Sequence, residues 1–154
     1  MNTIISDNPF SEEETSTLAT LAGMVIPASA KYGVPGADDE AILKEIIGTA
    51  RRHADVITEG LNFINAEARK HKTSFSSLSE DTRKDIVEGV PQAFIRDLVT
   101  IAVQCYYKDP RIMESLGMEP RPPFPEGFEV EDGDWSMLDP VRDRGRIWRE
   151  PPGR

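Results

Sequence analysis

Apolar residues recur at helical spacing through the first two thirds of the chain. Ser11 and Glu14 have the Ser-x-x-Glu spacing of a capping box, which satisfies free amides at a helix start. Behind them Leu18, Leu21, Ala22, Val25 and Ile26 keep the 3.6-residue period until Pro27 stops the run. Residues 28–38, with Gly33-Val34-Pro35-Gly36, read as a turn-rich loop. Two amphipathic faces follow, Ile42, Leu43, Ile46, Ile47 and Ala50, then Ile57, Gly60, Leu61, Ile64 and Ala68. No proline divides residues 39–70, so they form one bent helix or two. Residues 71–78 are a polar connection with one apolar anchor, Phe75, and Ser79 caps a short helix to about Glu88.

The next helix is apolar around most of its girth. Pro91 suits its first position, and Phe94, Ile95, Leu98, Val99, Ile101, Ala102, Val103, Cys105 and Tyr106 leave a thin polar stripe of Arg96, Asp97, Thr100 and Gln104. Such a helix is covered on several sides, as the centre of a bundle or with part of its surface completed by another protein. No alternating strand pattern competes. The predicted fold is all-α, a small bundle of about five helices over residues 1–117. A long, proline-rich and largely irregular arm follows over 118–154, after a short turn at Arg111 to Leu116 and Gly117.

Composition sharpens that division. Residues 1–107 carry 46 of the 59 hydrophobic side chains, whereas 108–154 carry 13 of them and 8 of the 12 prolines. The arm should follow extended, polyproline-like paths. It holds Phe124, Phe128, Trp135 and Trp148, with Arg142, Arg144 and Arg146 near its end. Spaced aromatics with arginines are typical of interface anchors. A disordered tail is the alternative reading.

A net charge of −9 speaks against nucleic acid as a partner, because phosphate neutralisation needs clustered Lys and Arg. Cys105 is the only cysteine, so no internal disulfide forms, and its apolar surroundings predict an inert thiol. No run reaches the length of a membrane span, so no direct membrane insertion is expected. The first residues lack the features of a signal peptide, which predicts a cytoplasmic protein, with periplasmic co-export on a signal-bearing partner as the alternative.

Motifs for chemistry are missing. There is no Gly-x-Gly-x-x-Gly, Walker loop or Gly-x-Ser-x-Gly elbow. His53 and His71 have no second ligand at metal spacing. Asp132-Gly133-Asp134 opens like a calcium loop, but Met137 occupies the glycine position and Asp143 the terminal glutamate position. Acidic clusters at Glu12-Glu13-Glu14 and Asp38-Asp39-Glu40 suit helix starts. No catalytic, cofactor-binding or metal residue is predicted in this chain.

The order of features resembles the gluconate 2-dehydrogenase subunit 3 family, the small subunits of bacterial FAD-dependent sugar and alcohol dehydrogenases. The matching pieces are Phe10-Ser11-x-x-Glu14, Leu18 to Leu21, Val25-Ile26-Pro27, Pro35-Gly36-Ala37 and Phe75-x-x-Leu78. Tyr106-Tyr107-Lys108-Asp109-Pro110 and Leu116-Gly117 complete the set. The resemblance implies a non-catalytic subunit that stabilises a large glucose-methanol-choline-type oxidoreductase, which holds FAD and oxidises a sugar or sugar-derivative hydroxyl. It implies no cofactor in this chain. Many relatives start with a twin-arginine signal, which this chain lacks, and it has no Cys-x-x-Cys-His for haem.

On that reading Tyr106, Tyr107, Phe124, Phe128, Trp135 and Trp148 are partner anchors, with Tyr106 equally suited to packing within the bundle. Arg142, Arg144 and Arg146 contact the partner's acidic rim or lie near its substrate entrance. The alternatives are a free-standing small all-α enzyme using carboxylates and His53, or a general adaptor with a disordered tail.

Overall fold

The computed structural model describes residues 8–129 and 132–147. They fall into two compact units, Met1–Pro120 and Arg121–Arg154.

The first unit has six helices: α1 (Glu12–Val25), α2 (Glu40–Ala50), α3 (Ala54–Lys70), α4 (Glu80–Glu88), α5 (Gln92–Tyr106) and α6 (Pro110–Ser115). Among the described residues no strand forms, only the bridge pair Ser29 and Val34. The all-α expectation is met. The bundle contains one helix more than expected, because Asp109 caps a run whose Pro110 is already fixed for a first helical position.

Local signals set the boundaries. The Ser11 hydroxyl accepts from the Glu14 amide at 3.3 Å, while a Glu14 carboxylate oxygen accepts from the Ser11 amide at 2.8 Å. Ser79 caps α4 through the Thr82 amide. α2 and α3 are separate helices joined by a 3-10 turn at Arg51–His53, where His53 leaves helical geometry. Pro91 is the cap of α5 and not its first turn. Its ψ of 133° is extended, and its carbonyl accepts from the Phe94 and Ile95 amides.

α5 packs on α1, α2 and α3, so it is the bundle's central helix. Phe94, Leu98, Ile101, Ala102 and Cys105 meet Leu18, Leu21, Ile42, Ile46, Ile57, Leu61 and Ile64 in one buried cluster. Phe75 closes its end from a 3-10 turn. Gly60 lets α3 and α5 approach, since a Cβ there would lie 2.0 Å from the Phe94 ring. Inside the core the Thr17 hydroxyl donates to Asn65 Oδ1 at 2.6 Å, tying α1 to α3.

Loop 27–38 is held at several points. Ser29 and Val34 exchange two backbone hydrogen bonds, the Ala37 amide donates to the Ile26 carbonyl, and the Tyr106 hydroxyl donates to the Pro35 carbonyl at 3.0 Å. Arg111 then joins two helix starts. It donates to the α2 cap Asp39 at 2.7 and 3.2 Å, and to the α6 cap Asp109 at 2.8 and 2.9 Å. These bonds hold both carboxyls below the usual aspartate range and push the guanidinium further up.

Gly60→Ala forces a methyl into Phe94 and should destabilise the fold by ~1–3 kcal/mol. Gly48→Ala, in an open helical position, should stabilise it by about 0.5–1 kcal/mol, both read from denaturant midpoints. For Arg111 the sign comes from its acids. Their folded values are depressed, so the clamp's contribution is complete above the unfolded aspartate value of about 4 and is lost as pH falls below it. Arg111→Met should therefore flatten the stability curve below about pH 4, and parallel curves for the two proteins would contradict the clamp.

Candidate partner interface

Helix α5 presents two faces with different fates. Its inner positions are buried, but Val99, Val103 and Tyr107 are 37%, 38% and 53% exposed at a spacing of four residues. They form one apolar line along the outside of the bundle's central helix, with Arg96, Thr100 and Gln104 beside them in solvent. Ile95, partly buried, extends the line by one turn.

The two adjacent tyrosines split between these faces. Tyr106 is buried, with its hydroxyl bonded to Pro35, and burial raises its phenol above the usual range. It is a strut between α5 and loop 27–38. Tyr107 meets it edge-on at 5.4 Å and stays in solvent. Of this pair, Tyr107 is the one whose ring is open to solvent.

Tyr32 was not singled out by the sequence pattern. It stands at the tip of loop 27–38, 66% exposed, beside Gly33 with a φ of 65°. The Lys31 ammonium sits 4.9 Å above its ring. An aromatic between turn residues was the only signal available for it. Leu116 and Met118 are exposed after α6.

The second unit is less extended than its proline content predicts. Arg121 closes a turn over residues 122–128 by donating to the Gly127 carbonyl at 2.7 Å, with its guanidinium carbon 5.1 Å from the centre of the Phe128 ring. Phe124 at the turn is 85% exposed and Phe128 is 44% exposed. A 3-10 turn at Trp135–Leu138 leads into α7 (Asp139–Asp143). Trp135, Met137, Val141 and Ile147 are all more than half exposed. Arg142 pairs with Asp139 at 3.1 Å, and Arg144 and Arg146 are exposed. Trp148 lies outside the described residues. An isolated helix of one turn is far below the length that is stable in water, and α7 has no side-chain cap, so little holds it beyond the Arg142–Asp139 ion pair.

Catalytic geometry is sparse. His53 Nδ1 approaches Asp97 Oδ2 at 3.5 Å on an open surface, with half of the histidine side chain in solvent. Among the described residues no group of three or more His, Cys, Asp or Glu side chains could hold a metal ion. No described helix is long and apolar enough to cross a membrane. A cleft of about 780 Å³ on α2 is walled by Glu40, Lys44, Glu45, Arg52 and Lys108, charges of both signs without an aromatic wall. Those residues do not fit a flavin.

A family model described as gluconate 2-dehydrogenase subunit 3 matches residues 12–120. Neither a curated protein nor a solved structure matches the chain. The match covers the six-helix unit and stops where the second unit begins.

If the exposed apolar side chains do no work within this chain, removing them should leave it stable. Val103→Asp and Trp135→Ala should each change unfolding free energy by less than about 0.5 kcal/mol, whereas Leu98→Ala should cost about 2–5 kcal/mol. Loss of stability in Val103→Asp comparable to that in Leu98→Ala would show that Val103 belongs to the core.

Proposed function

The chain therefore belongs to the gluconate 2-dehydrogenase subunit 3 family, and on that footing we propose that it binds and stabilises a larger dehydrogenase subunit. The partner is a glucose-methanol-choline-type flavoprotein that oxidises a hydroxyl of a sugar or sugar derivative. FAD resides in that partner, where it would accept the hydride from the carbinol carbon. This chain supplies surface and no reacting group.

The observation that carries the reading is apolar surface left uncovered on an otherwise well-filled bundle. The line Val99, Val103 and Tyr107 belongs to the helix that organises the core, so its position is fixed before any partner arrives. Preorganised side chains lose little freedom on binding, so more of the gain from burying their apolar area is kept as affinity. The second unit adds Phe124, Trp135, Met137 and Ile147, side chains that water solvates poorly. Segments of this kind order on binding and cover a large surface with few residues.

The test is co-expression of the tagged chain with a large flavoprotein of that type. The expected product is a yellow complex that elutes as one species, and dehydrogenase activity that survives heating longer than that of the flavoprotein alone. Val99→Asp with Val103→Asp should weaken the complex by about tenfold or more while the isolated chain stays folded. A colourless chain eluting alone, beside a flavoprotein equally stable without it, would contradict the reading, as would turnover by the isolated chain.

A further inference from the structure

A cleft of about 510 Å³ lies between α1, loop 27–38 and the start of α4. Its walls include Gly23, Met24, Pro27, Asp38, Arg83 and Lys84. The Lys84 ammonium is taken by Glu80 at 2.7 Å. Arg83 is different. Its side chain is half-buried and its Nε is shut off from solvent without an acceptor. With Nε enclosed, the guanidinium can meet a ligand only through its terminal nitrogens. Asp38, which lines the same cleft, makes no ion pair with it within 4 Å.

Two glycines shape the acid's seat. A Cβ at Gly36 would fall 2.3 Å from Asp38 Oδ1, and one at Gly23 would fall 3.1 Å from Oδ2. The cleft thus keeps one charge of each sign, held by different elements and not spent on each other. A partly buried stem limits the motion of the guanidinium, whose terminal nitrogens present two parallel N–H donors at the spacing of carboxylate oxygens.

We propose that this cleft binds a small carboxylate that also bears a hydrogen-bond donor. The carboxylate lies end-on against the terminal nitrogens of Arg83, and Asp38 accepts from a hydroxyl or amide N–H of the same molecule. The Lys84–Glu80 pair borders the site without supplying free charge. This assignment stands apart from the dehydrogenase reading, since it uses neither α5 nor the second unit.

The test follows the Arg83 guanidinium by nitrogen-15 NMR on the full chain. Titration with lactate should shift the Arg83 Nε resonance to saturation, acetate should bind several-fold more weakly, and sodium chloride at equal ionic strength should leave it in place. Arg83→Gln should abolish saturation with the remaining spectrum unchanged, and Asp38→Asn should narrow the difference between lactate and acetate. A free hydroxy acid and an acidic residue of another protein share this chemistry. Tighter binding of N-acetyl-aspartyl amide than of lactate assigns the site to a protein carboxylate, and the reverse order to a free acid. A shift linear in concentration and matched by chloride would overturn the proposal. A crystal structure with Arg83 paired directly to Asp38 would overturn it as well.

Discussion

The ring of Phe94 rests on the backbone of Gly60, in a space that a single methyl group would fill. That contact sets how closely α3 and α5 lie, and the bundle is arranged around α5. With α5 seated, its inner side chains are committed to α1, α2 and α3, and its outer line of Val99, Val103 and Tyr107 is left facing water. The same helix thus builds the core and presents the surface assigned to a partner. Rotation of α5 to cover that line would expose Leu98 and Ala102 in exchange, so the surface cannot be hidden by local repacking.

Polar contacts of long sequence range stiffen this frame. Arg111 fastens the starts of α2 and α6, and the Tyr106 hydroxyl fastens α5 to loop 27–38. The end of α5 and the loop that carries Tyr32 are therefore parts of one rigid unit. The second unit is built otherwise, from a short closed turn and a single helical turn with most apolar side chains in solvent. The family match covers residues 12–120, the helices of the first unit, and the exposed aromatic residues Phe124, Phe128 and Trp135 lie beyond it.

Helix starts were legible in the sequence because their causes are local. The Ser11 and Ser79 caps act over three residues, and the apolar period fixes which side of each helix turns inward. The break between α2 and α3 was not legible, because a 3-10 turn needs no proline or glycine to mark it. Tyr106 and Tyr107 are chemically alike neighbours, and only the roughly 100° turn between successive helical positions separates strut from surface residue. Arg111 and Asp39 lie 72 positions apart, a pairing that periodicity cannot announce. Arg83 reads from sequence as an ordinary helix arginine, and its missing acceptor is visible only in the folded chain.

The central claim is that this chain is one part of a larger apolar interface, and side-chain footprinting of the isolated chain and of its complex with the flavoprotein tests it most directly. Hydroxyl-radical oxidation should mark Tyr107, Trp135 and Met137 in the isolated chain and fall by several-fold at all three in the complex, while Tyr106 stays protected in both. Equal oxidation of Tyr107 in the two states, with the complex formed, would contradict the assignment of the outer face of α5 to the partner.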